Sequence, residues 1–519
     1  MTTTTQALPT RHLSLPSFYK QAAVTAALAG WADWLFFGHD IGITFAIFFA
    51  GLVAAIILVN LARAERARLV KALCIVGLAL LPSVEHLSFL SAGLGLAGVI
   101  SFALIVHSQL RATLLCALQG IGKFIVRMPA RLPFDICRVH KAVKRRTAAG
   151  GQRLRLSVWI VPVGCSLVFL ALFSSANPLI EKWLTGIDLS ELTDNFNGRR
   201  AIFWSAAFLL CWPFIRFKPG RKWMVGLAVS DNMPAAPKPD RHDLFGEPAI
   251  FRSLLLFNLL FALQIGLDAT YLLGGAELPD GMTYAQYAHR GAYPLICTAL
   301  LAAAFVLLAT RPGSQSEHSA RVRTLILAWT AQNVILVLFS IQRLGLYIEA
   351  YALTYWRYAA FIWMGLVLIG LVLIVAKVLR ARSNEWLVEM NLIALLAVLY
   401  VTSFVNVASV IADYNVTRSL GDGDHWLDAN YLNELGIYAI PAMDRVGSSS
   451  KSPKIYGRRH KHKLTSKGAL VTARNHLAQA VSWDKQDWRL WSFRRYRLQR
   501  YLDTAGLTRV PNNPSSPER

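Results

Sequence analysis

The chain is poor in charged residues and lacks the common motifs of nucleotide-binding and hydrolytic proteins. Only 16% of its 519 residues are charged, 55% are hydrophobic, and the mean hydropathy is +0.41. This composition is typical of a protein that lies mainly in lipid. The sequence contains no P-loop, H-E-x-x-H or G-x-S-x-G, and its one G-x-G-x-x-G run, at 93–98, lies within a long apolar segment and does not follow a predicted strand. These observations argue against nucleotide-driven transport within this chain, nicotinamide or flavin redox chemistry, and simple hydrolysis.

Cysteine is also scarce, and the sequence indicates neither a disulfide framework nor a zinc site. The six cysteines are scattered and none is in a C-x-x-C spacing. The run 421–425, GDGDH, resembles a calcium loop but lacks the regular ligand spacing and the later bidentate glutamate. It is interpreted as a solvated turn. We therefore predict no metal, no cofactor and no catalytic residue.

Long apolar segments are abundant in the chain. A spanning helix needs about 20 mostly apolar residues to cross roughly 30 Å of hydrocarbon. The sequence predicts an all-α polytopic helical bundle with about eleven spans and a small C-terminal extramembrane tail. The predicted spans are 22–38, 42–61, 70–84, 88–107, 157–176, 201–215, 251–273, 291–310, 324–341, 358–376 and 391–411.

The charges of the loops predict the orientation of these spans. Alternate loops are basic, and short basic loops stay cytoplasmic during insertion. The basic residues are Arg63, Arg66, Arg68 and Lys71; eleven Lys and Arg in 111–155; Arg216, Lys218, Arg221 and Lys222; Arg311, Arg321 and Arg323; and Lys377, Arg380 and Arg382. We expect a bacterial inner-membrane protein with a cytoplasmic N-terminus and a periplasmic C-terminal tail.

Five regions follow from this topology. They are a retained cytoplasmic leader at 1–21, N-terminal transmembrane helices at 22–107, a basic cytoplasmic loop at 108–156, the main transmembrane region at 157–411 and a basic tail at 412–519. Within the tail, residues 447–468 are expected to form a flexible linker.

The net charge of +24 resides mostly in the cytoplasmic loop and the tail. In a membrane protein this excess indicates the lipid bilayer and its anionic headgroups as partners, and no nucleic acid is expected. The loop interleaves leucine and isoleucine with basic residues, which suits either a helix in the headgroup plane or a merely solvated loop. The Trp- and Arg-rich segment 483–500 suits an interfacial helix, a docking arm for an anionic envelope polymer or lipid, or a packed helix of a small domain.

Polar residues inside spans require a reason because an Asp at a helix centre costs about 2.5 to 3.5 kcal/mol on insertion scales. Gln264, Asp268 and Tyr271 share one face of the seventh span, near its outer end. An outward-facing pocket suited to a carboxylate or phosphate is one interpretation. Its candidate ligand-binding residues are Asp268, His289, Arg290, Arg343, Tyr347, Tyr351 and Arg357. The alternative is that Asp268 pairs with an arginine to lock helices together, while the other side chains anchor the interface.

Three blocks of this outer region carry a family resemblance. They are YAQYAHRGAYPL at 284–295 followed by ALLAA at 299–303, QRL at 342–344 leading to YIEAYALT at 347–354, and IADYNVTR at 411–418. Together they resemble the bacterial membrane family called domain of unknown function 4173, with its relative 4153. The resemblance covers most of residues 250–500 and implies a multispan inner-membrane protein, without implying a reaction.

Three functional classes remain open. The first choice is a non-enzymatic envelope or sensory component whose partner is an envelope protein or an anionic ligand, because no catalytic constellation is present. A secondary transporter of a small anionic solute would need a polar path, which Asp268, Gln332 and Asn333 suggest. A membrane-embedded lipid-linked transferase would use an outer acidic pair, with Glu277 and Asp280 as candidates.

Overall fold

The structure is a computed structural model, and helices make up most of what it describes. The described residues are 15–60, 65–107, 113–147, 166, 198–216, 247–272, 298, 301, 304–305, 319–421, 425–450, 453–456, 467–483 and 487–504. The longer helices are α1 (Leu15–Phe36), α2 (Ile43–Asn60), α3 (Arg66–Glu85), α4 (Phe89–Val106), α5 (Leu114–Thr147), α6 (Gly198–Ile215), α7 (Glu247–Leu272), α8 (Ala320–Tyr351), α9 (Tyr355–Leu379) and α10 (Asn384–Phe404). The all-α, membrane-like class is therefore confirmed.

Six of these helices are long and apolar enough to cross a membrane: α3, α4, α7, α8, α9 and α10. Helix α2 contains a shorter apolar stretch, Ile43–Val59. The predicted span 201–215 matches α6, and 22–38 overlaps α1, which begins seven residues earlier. The predicted spans 157–176 and 291–310 lie almost wholly outside the described residues. The total of eleven spans thus stays a prediction.

The last predicted span, 391–411, is not one helix. Helix α10 ends at Phe404, and a new helix, α11 (Val407–Leu420), begins after Asn406. The Asn406 side chain accepts a hydrogen bond from the Ser409 backbone N–H at 3.3 Å. An Asn at this position satisfies a backbone donor that a helix start leaves without an intrahelical partner. Hydropathy alone does not detect such a start within an apolar stretch.

The chain divides into two compact units. Unit 1 comprises Met1–Gly77, Leu96–Leu110 and Gln119–Gly220, and unit 2 comprises Leu78–Gly95, Arg111–Leu118 and Arg221–Arg519. In unit 1, α1 and α6 run antiparallel with a polar contact near each end. Arg200 forms an ion pair with Asp33, and Arg216 Nη1 donates to Gln21 Oε1 at 3.2 Å. The ion pair explains how α1 tolerates an aspartate.

One end of α6 in unit 1 is tied to α5 by a buried charged cluster. Arg216 Nε lies 3.3 Å from Asp135 Oδ2, and Trp212 Nε1 donates to the same oxygen at 3.2 Å. Asp135 and Arg216 are 1% and 3% exposed. The cluster neutralises two charges that would be costly to bury singly. Residues 114–147 of the basic segment therefore form a helix, and Asp135 attaches that helix to α6.

In unit 2, α7 and α8 lie side by side and run in the same direction. Asn258 of α7 donates to the Leu325 carbonyl at 3.1 Å near the start of α8, and Asp268 meets Arg343 near its end. Helices α8, α9 and α10 then pack as successive antiparallel neighbours. Trp329 is 3% exposed and lies among Phe257, Phe261 and Phe305, which places an aromatic core at this interface.

The described tail is a small folded layer on the helix ends. Its elements are β1 (Trp426–Asp428), α12 (Ala429–Glu434), a 3₁₀ turn (Gly436–Ala439), α13 (Ile440–Ser448), β2 (Lys454–Tyr456), α14 (Lys467–Trp483), a 3₁₀ turn (Trp488–Leu490) and α15 (Phe493–Thr504). Strand β1 pairs in parallel with β2. Strand β2 falls inside the segment expected to be a flexible linker, so that expectation is wrong for residues 454–456.

A continuous core joins this tail to the spans of unit 2. Leu344 and Ile348 near the end of α8, and Leu353 in the turn after it, cluster with buried residues of α11 and of the tail. Those residues include Ile411, Ala412, Val416, Leu427, Leu432 and Met443. The tail is therefore anchored by apolar burial to the end of α8, where the candidate site lies.

Candidate functional site

Five of the seven predicted ligand-binding residues lie in the described part of unit 2. They are Asp268, Arg343, Tyr347, Tyr351 and Arg357; His289 and Arg290 lie outside the described residues. The five form two separate groups along α8. The deeper group contains Asp268 and Arg343, and the outer group contains the two tyrosines and Arg357.

The deeper group is a buried ion pair between α7 and α8. Arg343 Nη2 contacts Asp268 Oδ2, and the two residues are 7% and 5% exposed. Gln264, one turn before Asp268, donates from Nε2 to Asp268 Oδ1 at 3.0 Å. This is the helix-locking contact that the alternative interpretation proposed. Because each charge neutralises the other, the pair makes both tolerable within a span.

Two amide side chains extend the polar contacts along the same helix. Gln332 Nε2 donates to the Asn258 carbonyl of α7 at 3.1 Å, as expected of an amide that hydrogen-bonds a neighbouring helix. Asn333 instead donates to the Trp329 carbonyl of its own helix at 2.8 Å. The α7–α8 interface is thus polar at several depths.

The outer group forms where α8 ends. The Tyr347 and Tyr351 rings are 5.3 Å apart, and the Arg357 guanidinium lies 4.0 Å from the Tyr347 ring centroid. The residues from Arg343 to Arg357 do not lie on one continuous helix. Instead, α8 stops at Tyr351, and Thr354 caps α9 by accepting from the Arg357 backbone N–H at 3.4 Å. Arg357 still reaches Tyr347 because the chain turns back on itself.

The turn between α8 and α9 has a strained backbone. Ala352 has φ 67° and ψ 168°, a region that residues other than glycine rarely occupy. Arg357 Nη1 donates to the Tyr351 carbonyl at 2.6 Å and also to the Ala352 carbonyl. Arg418 Nη2 donates to the Ala350 carbonyl at 3.1 Å. Two cations therefore meet the carbonyl end of α8, where the helix dipole favours positive charge.

Asn415 of α11 completes the support of this turn. Its Oδ1 accepts from the Leu353 N–H at 2.8 Å, and its Nδ2 donates to the Leu353 carbonyl at 2.9 Å. The hydroxyl of Tyr431 in α12 accepts from the Tyr355 N–H at 3.0 Å. Side chains from α9, α11 and α12 therefore hold one strained turn, which we call the α8–α9 turn (residues 350–355).

Sequence reasoning did not select Asn415, Arg418 or Tyr431 as site residues. The usable signal was in the family-like blocks, because residues 347–354 and 411–418 meet at this turn. Arg418 also contacts the Nδ1 atom of His425 at 3.0 Å. The contacts of Arg418 lie outside the spans. A polar residue there carries no hydropathy penalty, so hydropathy does not single it out.

The side chains that the structure describes at this turn are arginine, tyrosine and asparagine. Among the described residues, no group of three His, Cys, Asp or Glu side chains is close enough to hold a metal ion. The acidic pair Glu277 and Asp280, suggested for a transferase, lies outside the described residues. Arginine beside two tyrosines is suited to a carboxylate or phosphate group.

Comparison with known proteins gives a family. The model of the family described as Domain of unknown function (DUF4153) matches residues 22–446, whereas no curated protein and no solved structure matches the chain. The match begins much earlier than residue 250, where the resemblance was expected to start, and ends within the tail. The name 4173 stays a prediction. Because the match covers most of the chain, the protein belongs to the DUF4153 family.

Proposed function

We propose that this protein is a non-enzymatic envelope or sensory component of a bacterial inner membrane, which binds an anionic group on its outer side. The observation that carries the proposal is the α8–α9 turn. Its strained backbone is held by Arg357, Asn415, Arg418 and Tyr431, which come from three different elements. A ligand or partner that moves the tail would act on α8 through these contacts.

The charges at the helix ends of unit 2 support an outward-facing site. The end of the bundle opposite the α8–α9 turn carries Arg321, Arg323, Lys377, Arg380 and Arg382. Basic residues that flank spans stay cytoplasmic. The turn and the tail would then be periplasmic, and the N-terminus cytoplasmic, as the loop charges predict.

The candidate pocket is formed by Tyr347, Tyr351 and Arg357, with His289 and Arg290 as its proposed completion. Tyr351 is 48% exposed, so a solute can reach the ring from outside. An arriving carboxylate or phosphate would compete with the Tyr351 and Ala352 carbonyls for Arg357. Asp268 and Arg343, which are buried beneath, would respond through α8.

Thermal unfolding of the detergent-solubilised protein tests this binding. Inorganic phosphate, succinate and glutamate serve as probes, since each presents an anionic group of small size. We expect at least one probe to raise the unfolding midpoint of the unaltered protein and of Arg382→Gln, which lies at the opposite helix end. The same probe should give no rise with Arg357→Gln. Equal rises in all three proteins, or in none, would count against the pocket.

A second test addresses the sensory role. Asn415→Ala removes both hydrogen bonds to Leu353 and should loosen the α8–α9 turn, whereas Val410→Ala alters an exposed position of the same helix. Hydrogen exchange should rise at 350–355 in the first variant alone. A deletion strain carrying Asn415→Ala should then show the envelope phenotype of the deletion. Full complementation despite the faster exchange would argue against signalling through the turn.

The polar contacts along α7 and α8 favour a secondary transporter of a small anionic solute as the second candidate. Asn258, Gln332, Gln264, Asp268 and Arg343 place polar groups at successive depths. Proteoliposomes distinguish the two functions. Accumulation of a radiolabelled probe by the unaltered protein would support transport, and binding without accumulation would support the sensory role.

A further inference from the structure

The last described helix, α15, has one face that packs on the tail helices and on span ends of unit 2, and one that is exposed. Arg494, Leu498 and Leu502 are buried, and they recur at every fourth position, which puts them on one side of the helix. The opposite side exposes Phe493, Tyr496, Arg497 and Arg500. This segment lies beyond residue 446, where the family match ends.

The buried side of α15 fixes its height on the spans. Arg494 Nε lies 3.3 Å from Glu85 Oε1 at the end of α3, and Arg494 Nη2 donates to the Ser403 carbonyl in the last turn of α10 at 3.3 Å. Arg497 also pairs with Glu85. Helices α3 and α10 are both candidate spans. Helix α15 therefore lies where two spans leave the hydrocarbon.

Aromatic rings are exposed at the same level. Trp491, Phe493 and Tyr496 are 37%, 44% and 41% exposed. The Tyr496 ring centroid lies 6.4 Å from the centroid of Trp491 and 6.4 Å from that of Phe493. Phe89, at the start of α4 beside Glu85, is fully exposed. Large aromatic surfaces are costly in water but favourable at the headgroup level, where Trp and Tyr concentrate in membrane proteins.

Cationic side chains accompany these rings. The Arg497 guanidinium lies 5.1 Å from the Phe493 ring centroid, and Arg500 is exposed one turn further along the same face. Aromatic rings can insert among lipid headgroups, and guanidinium groups beside them can bind the lipid phosphates. A purely aromatic anchor would not need this charge.

From this arrangement we infer that the exposed face of α15 is an interfacial docking surface for anionic phospholipid headgroups in the outer leaflet of the membrane. Trp491, Phe493 and Tyr496 enter the headgroup layer, and Arg500 contacts lipid phosphates. The inference is independent of the ligand proposed for the α8–α9 turn, because it concerns a different face of the tail. It gives the tail a fixed attachment to the bilayer.

The test uses the full chain in nanodiscs, with the native cysteines replaced and one cysteine introduced for the environment-sensitive dye NBD. Tyr496→Cys reports the exposed face of α15, and Ser448→Cys reports an exposed tail position at the end of α13. We expect lipids that carry a doxyl quencher near the headgroup to quench the dye at 496, and iodide in water to quench the dye at 448. Equal quenching by iodide at both positions would overturn the inference and leave α15 as a surface for a protein partner.

Lipid charge is tested by titrating phosphatidylglycerol into phosphatidylcholine nanodiscs. A basic residue near an anionic surface strengthens binding about fivefold. The readout is the phosphatidylglycerol fraction at which the change in NBD emission is half complete. Arg500→Gln should therefore raise this fraction by about fivefold. Arg500→Lys, which keeps the charge, and Lys454→Gln, elsewhere on the tail, should leave that fraction unchanged. Quenching by lipid that does not depend on phosphatidylglycerol would overturn the anionic part of the inference.

Discussion

At the scale of single residues, the polar side chains of this chain are explained mainly by their partners. Asp268 was predicted to bind a ligand because an unpaired acidic side chain is costly inside a span. In the structure its partners are Arg343 and Gln264. Asp33 and Asp135 are likewise paired with Arg200 and Arg216. A charge inside a span therefore indicates a helix contact before it indicates a ligand.

The Asp268–Arg343 pair predicts a strongly non-additive double-mutant cycle. Asp268→Asn and Arg343→Gln should each destabilise the protein by about 3 to 5 kcal/mol, since each leaves one buried charge uncompensated. The double variant should be more stable than either single variant. Equilibrium unfolding of the solubilised proteins measures all three changes. Additive losses would mean that the two side chains do not depend on each other.

The same pair can be tested for function by exchanging its charges. If the pair only locks α7 to α8, Asp268→Arg combined with Arg343→Asp should complement a deletion strain. A folded charge-swapped protein that fails to complement would indicate that Asp268 or Arg343 also contacts a ligand.

His86 predicts how the packing of the tail depends on pH. The His86 ring lies 5.7 Å from the Tyr438 ring, centroid to centroid. Burial is the main cause that lowers its pKa below 6.5; Arg494 and Arg495 lower it further, and Glu85 opposes them. In the unfolded chain His86 has a pKa near 6.5, whereas in the folded protein its pKa is lower. The unfolded state therefore binds more protons in this range, and the free energy of unfolding should fall as the pH drops below about 6.5.

Unfolding midpoints of the solubilised protein across this range check the prediction. The unaltered protein should lose more stability than His86→Gln between about pH 7.5 and pH 5.5. Parallel losses in both proteins would assign the pH dependence to other groups.

At the scale of helices, close approach depends on small residues at particular positions. Gly51 of α2 faces the Trp31 ring of α1, and an added Cβ would lie only 1.9 Å from Trp31 Cζ3. Gly30 of α1 has no such neighbour within 4 Å. Glycine at a helix interface lets two backbones approach, whereas glycine elsewhere in a helix only costs helix propensity.

These two glycines form a matched pair of substitutions. Gly51→Ala should lower the unfolding midpoint because the Trp31 ring must move, at a cost of about 1 to 3 kcal/mol. Gly30→Ala should leave the midpoint unchanged or raise it by reducing the flexibility of the unfolded chain. Thermal unfolding in detergent compares the two. A similar fall for both variants would show that helix packing at Gly51 is not the cause.

Helix ends were the least predictable elements, and the reason is physical. Apolar length identified both ends of α2, α3, α4, α6, α7 and α9 within a few residues, whereas α8 extends ten residues beyond its predicted end at 341. The end of α8 at Tyr351 and the start of α11 after Asn406 are set by hydrogen bonds. Asn415 is 62 positions from Leu353 in the chain. A hydropathy pattern contains no information about such a distant partner, so Asn415 and Arg418 could not be recognised from it.

At the scale of the whole molecule, the proposed binding site and the proposed attachment of α15 both depend on the side of the membrane on which the tail lies. In unit 2, the tail packs at the helix ends marked by Glu85, Tyr351 and Ser403, opposite the basic residues around Arg380 and Arg382. An outer binding site and an outer-leaflet attachment of α15 both require this end to be periplasmic. A cytoplasmic tail would reverse both.

Cysteine labelling of intact cells decides the orientation. In a background without the six native cysteines, Ser450→Cys places an exposed thiol in the tail, and Arg382→Cys places one at the opposite helix ends. With only the outer membrane opened, a membrane-impermeant maleimide should label position 450 and spare position 382, because the basic ends stay inside. The reverse pattern would make the tail a cytoplasmic arm. Arg357 would then face the cytoplasm, and any anionic partner would have to be sought there.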